Sequence, residues 1–111
     1  TTDTSALTAI GNDYGFDMIF SRQIQAIANK DDVVIAYSTS GKSKNIIKAL
    51  QEAKNKGLIT IGMTGVSENN LMNKYSDYLI KIPSDNTAKI QEGHAIVGHI
   101  ICGLVEKVMF S

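Results

Sequence analysis

A chain of 111 residues, 43% of them apolar and 20% charged, has the length of one compact domain or a piece of one and the balance of a soluble globular protein, not of a disordered or membrane one. Eleven basic residues against eleven acidic ones leave no positive excess to displace counterions from a nucleic-acid backbone, so nucleic acid is a poor candidate ligand. The single cysteine, Cys102, excludes an intrachain disulfide, suits a reducing compartment and reads as core packing in an apolar helical run.

Apolar stretches are expected to be broken by charge or glycine short of membrane-spanning length, and Thr1-Thr2-Asp3-Thr4 lacks the basic start of a signal peptide. A cytoplasmic protein without membrane contact is expected. In chain order, the short apolar run Leu7–Ile10 reads as a strand that turns at Gly11-Asn12-Asp13. A helix follows, with Phe16, Ile19, Phe20, Ile24 and Ile27 at helical spacing. The continuous run Val33-Val34-Ile35-Ala36-Tyr37 reads as a strand buried on both faces, closed by Ser38-Thr39-Ser40-Gly41.

Ser43 is placed to cap a second helix whose stripe is Ile46, Ile47, Leu50 and Ala53, and Gly57 to end it in a left-handed conformation. Leu58–Met63 makes the next strand, followed by a polar Gly/Ser/Asn segment and a short helix near Leu71-Met72. Tyr78–Ile82 gives a further strand closed by Pro83, the one proline, and a long helix runs from about Thr87. Strand and helix alternate throughout. That pattern implies an α/β three-layer sandwich, flavodoxin-like or Rossmann-like, with a parallel sheet flanked by helices and ligands bound at the carboxyl ends of the strands.

The segment Ser38-Thr39-Ser40-Gly41-Lys42-Ser43 lies between a buried strand and the first turn of a helix, where unpaired amides and the helix dipole favour an anion such as phosphate. Its hydroxyls can donate to phosphate oxygens without burying a charge, and Gly41 permits close approach of the backbone. Strand termination and helix capping would need one or two such residues, and here there are four. A nucleotide P-loop is the rival, since Ala36 to Ser43 fits its permissive spacing. Against it, Ala36 stands where that loop normally needs glycine, and no later strand ends in an aspartate suited to Mg²⁺. Replacing Ser38 and Ser40 by alanine is expected to weaken sugar-phosphate binding while barely changing the fold, on the reading that both hydroxyls face ligand.

Three blocks together resemble the phosphoheptose isomerases of the SIS (sugar isomerase) domain family: Gly11-Asn12-Asp13-Tyr14-Gly15-Phe16 with Phe20-Ser21-Arg22, then Ser38 to Ser43, then Ile90-Gln91-Glu92-Gly93-His94 with His99. The similarity runs over essentially the whole chain, which is read as a single, partial SIS domain over residues 1–111. The resemblance implies interconversion of sedoheptulose 7-phosphate and glycero-manno-heptose 7-phosphate through an enediol, supplying heptose precursors for lipopolysaccharide or other glycans. By the same resemblance Ser38, Thr39, Ser40 and Ser43 hold the phosphate and Asp13 contacts sugar hydroxyls. Gln91 and His99 serve substrate and a zinc ion in some members, and His99 is the acid-base residue. A homotetramer with active sites shared between subunits is implied as well.

Histidine titrates near neutrality and suits transfer of the oxygen-bound proton. Gln91 and His99 are offset by about 80° and about 12 Å along a helix, so they meet at one ion only by leaning toward each other from either side of it. His94 and His99 stand about 140° apart and are no chelating pair, which makes His94 structural or interfacial. Glu92, on nearly the same face as His99, is either its orienting partner or a solvated carboxylate. The family's glycine- and serine-rich segment with a histidine and a proton-abstracting glutamate has no match in Thr1–Ala9, so half of the expected active site is missing. The alternative function is a non-catalytic SIS module that binds a sugar phosphate or a replication-initiator protein. A sugar-phosphate sensor attached to a DNA-binding domain is a further possibility, for which this sequence shows no DNA-binding element.

Overall fold

The computed structural model describes residues 1–111. Three parallel strands, β1 (Val33–Tyr37), β2 (Ile59–Thr64) and β3 (Tyr78–Lys81), lie side by side in that order. Val33 pairs with Ile59 and Ile61 with Tyr78, which sets the register across the sheet. The helices are α1 (Thr4–Tyr14), α2 (Ile19–Ile27) after a single 3-10 turn at Phe16–Met18, α3 (Lys44–Asn55), the short α4 (Met72–Tyr75) and the long α5 (Thr87–Phe110).

On one face of the sheet Ala36, Ile47, Leu50 and Met72 form the buried core, with Ile46, Tyr75 and Leu79 packed around it. That stripe of α3 is the one its three- and four-residue spacing predicts, and Gly57 beyond the helix takes φ +76° as expected. On the opposite face α5 crosses near the carboxyl ends of the strands, where Gly93 packs on Ile82 and the His94 ring meets the Tyr37 ring edge-on at 5.5 Å. The result is the expected three-layer α/β arrangement.

Sequence expectation and structure part company at four places. Leu7–Ile10 belongs to helix α1, not to a strand. The Asp3 carboxylate caps that helix by accepting from the Ala6 amide at 3.1 Å, a start signal that outweighs a four-residue apolar run of ambiguous period. β1 is not buried on both faces: Val33, Ile35 and Tyr37 are 54%, 41% and 47% exposed, because β1 is an edge strand and α5 reaches only its carboxyl end. Cys102 is exposed and does not pack in a core. Finally, α5 is long and apolar enough, by length and composition alone, to cross a membrane, since Gly93, Gly98 and Gly103 do not interrupt the helix.

Two polar clasps fix the helices and strands to one another. The Lys56 ammonium, just beyond α3, donates to the carbonyls of Ile24, Gln25 and Ala28. It thereby satisfies the orphan carbonyls of Gln25 and Ala28, adds a second donor to the Ile24 carbonyl, which already accepts from the Ala28 amide, and complements the negative pole of that helix dipole. At the entry to β2, the fully buried Thr60 donates its amide to the Asp77 carboxylate at 2.9 Å, while its hydroxyl accepts from the Asp77 amide at 2.9 Å.

The Thr60 amide holds the Asp77 carboxyl below its usual value of 3.8, helped by the Thr60 hydroxyl and by Lys54, against the opposing pull of desolvation. A lowered folded-state value means that Asp77 stabilises the fold fully above about pH 3.8 and loses that contribution as pH falls through the lowered value. Asp77→Asn is therefore expected to unfold more readily than the parent at neutral pH, with the difference closing on acidification. Thermal melts of both proteins from pH 7 to pH 2 check this, and a difference that stays constant over that range would contradict it.

Candidate functional site

The turn Ser38–Ser43 leaves the carboxyl end of β1 and enters α3. Ser38 continues the sheet ladder by donating its amide to the Met63 carbonyl at 3.0 Å. Gly41, at φ +69°, then donates its amide to the Ser38 carbonyl at 3.2 Å and to the Ser38 hydroxyl oxygen at 3.1 Å. Lys42 donates its amide to the Ser40 hydroxyl oxygen at 3.1 Å. The hydroxyls of Ser38 and Ser43 lie 3.0 Å apart and those of Ser38 and Ser40 3.5 Å apart.

A hydroxyl oxygen that accepts an amide proton can still donate its own, so Ser40 and whichever of Ser38 and Ser43 does not donate to the other can offer an O–H to an incoming anion. The amides of Thr39, Ser40, Ser43, Lys44 and Asn45 find no acceptor within the protein. They add further donors at the positive pole of α3. Ser43 occupies the N-cap position of α3 as expected, but its hydroxyl makes no capping bond and turns to Ser38 instead. The hydroxyl cluster therefore exceeds what helix capping uses.

Ser38 corrects one expectation. It is 6% exposed and its oxygen organises Gly41 and Ser43, so its hydroxyl builds the turn as well as facing it. Ser40 is exposed and Thr39 half-buried, and both line a small cleft of about 200 Å³. Ser67 from the segment after β2, Asp85 from the loop after β3, and Thr87 and Ile90 from the start of α5 form its other walls. These residues follow the carboxyl ends of β1, β2 and β3, where a parallel sheet collects its ligands.

Gly65 permits the closure of this cleft. A Cβ there would lie 2.5 Å from Ile90 Cδ1 and 2.9 Å from the Ser84 carbonyl, so only glycine lets the start of α5 settle on the end of β2. His94 anchors the same helix one turn on. It is buried, and its Nε2 donates to the Thr64 carbonyl at 3.1 Å. That bond and the Tyr37 contact give His94 the structural role read from its position on the helix.

The remaining predicted residues are not gathered at the turn. Asp13 is exposed near the end of α1, its carboxylate accepting from the Asn12 side chain at 3.3 Å. Gln91 and Glu92 are exposed, directly after the cleft-lining Ile90. His99 is exposed further along α5, about 100° round the helix from Gly98, whose Cα faces the Tyr37 hydroxyl. No three His, Cys, Asp or Glu side chains converge on a point that could hold a metal ion, so the residues of this chain do not by themselves make a zinc site. Reading the sequence missed Ser67, Asp85 and Thr87. The polar run after β2 and the residues after Pro83 carried the only signal, a break in periodicity at the carboxyl end of a strand.

With this geometry in view, the relatives of the chain are informative. The model of the SIS domain matches residues 1–65. The chain is 58% identical over its full length to a phosphoheptose isomerase of Burkholderia pseudomallei (strain 1710b), of which it covers 56%. It is 56% identical to phosphoheptose isomerase 2 of Campylobacter jejuni, of which it covers 55%. The solved phosphoheptose isomerase of Francisella tularensis superposes with a TM-score of 0.91 at 40% identity, over 96% of this chain and 57% of that one. The Neisseria gonorrhoeae enzyme gives 0.90 at 42% identity, over 96% of this chain and 59% of that one. The chain thus spans little more than half the length of these relatives. Matched over more than half its residues by the family model, with the hydroxyl-rich turn inside the matched region, the chain belongs to the SIS domain family.

Proposed function

We propose that this chain is the sugar-phosphate-binding part of a phosphoheptose isomerase, the activity by which its relatives are named. The observation that carries the reading is the turn after β1. Its amides set the hydroxyls of Ser38 and Ser40 as donors, and a cleft open at the carboxyl edge of the sheet gives a phosphate access. Neutral donors suit a phosphate that must be held and then released within each turnover. Ser38, Thr39, Ser40 and Ser43 hold the phosphate in this reading, and Asp13 and Gln91 contact the sugar.

Conversion of sedoheptulose 7-phosphate to the aldose moves a proton between adjacent carbons through an enediol. His99 is assigned the oxygen-bound proton, a task suited to imidazole near neutral pH. The carbon-bound proton falls to a base outside the residues of this chain. Zinc belongs to the proposal in a limited sense: Gln91 and His99 offer two donors, any others would come from outside this chain, and no step is routed through the metal. The product would feed heptose precursors of lipopolysaccharide or another glycan. A cytoplasmic setting is proposed from the lone, exposed Cys102 thiol, which suits a reducing compartment.

A homotetramer is proposed as the working assembly. Its support is α5, on which Ile96, Ile100, Leu104, Val105, Val108 and Phe110 are all more than half exposed. A contiguous apolar surface of that kind is covered in a soluble protein by another chain. Light scattering is expected to give a mass four times the 12.0 kDa of the chain, and Leu104→Glu to reduce it. A monomeric parent protein would contradict the assembly.

Thermal shift distinguishes the ligand classes. Sedoheptulose 7-phosphate at about ten times its Kd is expected to stabilise the fold by about 1.4 kcal/mol, roughly 5 °C in Tm, whereas ATP with Mg²⁺ leaves Tm unchanged. Stabilisation by the nucleotide alone would replace this reading with that of a P-loop. Ser40→Ala is expected to weaken sugar-phosphate binding by about tenfold with little change in Tm, as loss of one bond to a charged acceptor dictates. Ser38→Ala should lower affinity and Tm together, because Ser38 also orders the turn. Calorimetry and melts on the two variants separate these effects.

A further inference from the structure

Asn70 makes more contacts than its position before a four-residue helix requires. Leu71 is the N-cap of α4 and offers no side-chain acceptor, and one residue ahead of it the Asn70 side-chain oxygen accepts from the Met72 amide at 3.0 Å. The other end of the side chain donates to the Thr64 hydroxyl at 2.9 Å, on a residue with no exposed surface at the end of β2. The body of the side chain lies directly on Gly41. A Cβ at Gly41 would stand 2.3 Å from the Asn70 amide carbon, so the turn after β1 packs on Asn70 with no room for a side chain at Gly41.

The segment around Asn70 also holds the turn's carbonyls. Ser67 donates its hydroxyl to the Ser40 carbonyl at 2.5 Å, and Leu71 donates its amide to the Gly41 carbonyl at 3.1 Å. A peptide group is planar, so fixing the Ser40 and Gly41 carbonyls toward this segment directs the next amides, those of Gly41 and Lys42, the opposite way. Those two amides are the ones that donate to the oxygens of Ser38 and Ser40. The orientation that leaves the serine protons for an anion is thus set from behind the turn.

We infer that Asn70 is a positioning residue for the phosphate-binding turn, acting through Gly41 and anchored by the Thr64 hydroxyl, without touching the ligand itself. The inference rests on the proposed sugar-phosphate reading and adds a residue to it. Loss of the Asn70 side chain removes the contact on Gly41 and unties from Thr64 the segment that carries Ser67 and Leu71, so the Ser40 and Gly41 peptides are held less firmly and the amide donors to the hydroxyls are less well aimed.

The test uses isothermal titration of this chain with sedoheptulose 7-phosphate and with inorganic phosphate, well below every melting temperature. Asn70→Ala is expected to weaken both by tenfold or more. Thr64→Val, which removes only the anchor for Asn70 from a site the ligand cannot reach, is expected to weaken both severalfold and keeps the question answerable should Asn70→Ala not fold. Lys56→Met, which loosens the end of α2 far from the turn, supplies a destabilised control of undiminished affinity. Unchanged affinity in Asn70→Ala and Thr64→Val, with the parent binding normally, overturns the inference and leaves the sugar-phosphate reading intact. Failure of the parent to bind either probe overturns the reading itself, and the inference with it.

Discussion

Two backbone amides, those of Gly41 and Lys42, donate to the oxygens of Ser38 and Ser40, and this ordering decides what the turn after β1 can bind. Serine hydroxyls are ambivalent groups that serve a cation or an anion, a donor or an acceptor. With one acceptor site on each oxygen taken by an amide, the hydroxyls can still donate, and the positive pole of α3 favours an anion as guest. On the proposed reading the turn needs no arginine, because dipoles fixed beforehand would meet the charge of a phosphate.

That fixed geometry draws on all three strand ends. Ser38 is held to β2 through the Met63 carbonyl, and the segment after β2 holds the Ser40 and Gly41 carbonyls. The start of α5 closes the cleft because Gly65 leaves room for Ile90. His94 then ties α5 to the last carbonyl of β2. A residue such as Thr64, wholly buried, therefore serves the site twice, with its carbonyl toward His94 and its hydroxyl toward Asn70.

The first turns of α5 and its later turns live under different constraints. Ile90 and His94 are buried against the sheet, whereas Ile96, Ile100 and the apolar residues from Leu104 to Phe110 are exposed. On the other side, Val33, Ile35 and Tyr37 leave one face of β1 open, beside an apolar groove lined by Phe20, Ile24 and Ile27. The chain buries enough apolar surface to define one core around Leu50 and Met72, and it presents more than it buries along α5. Since exposed apolar area of this extent carries a free-energy cost that association removes, the fold and the proposed assembly are coupled.

Period and turn chemistry made most of the architecture legible in the sequence. The β-branched run at Val33 could only be a strand, the stripe on α3 could only face a core, and Gly57 marked a left-handed stop. The serine-rich turn at the start of a helix was legible because strand, hydroxyls, glycine and helix follow in an order with a local physical meaning, and that order is what proposes an anion as its ligand. Leu7–Ile10 was not legible, since four apolar residues carry no period and the Asp3 cap lies outside them. Nor could sequence assign Asn70 or Ser67, whose partners stand 29 and 27 positions away at Gly41 and Ser40. Local elements follow from neighbours within a turn or two, where spacing and propensity act. Which face stays open, which serine is buried and which asparagine braces the turn are settled only when distant strand ends are packed against one another, because those are contacts that no local spacing encodes.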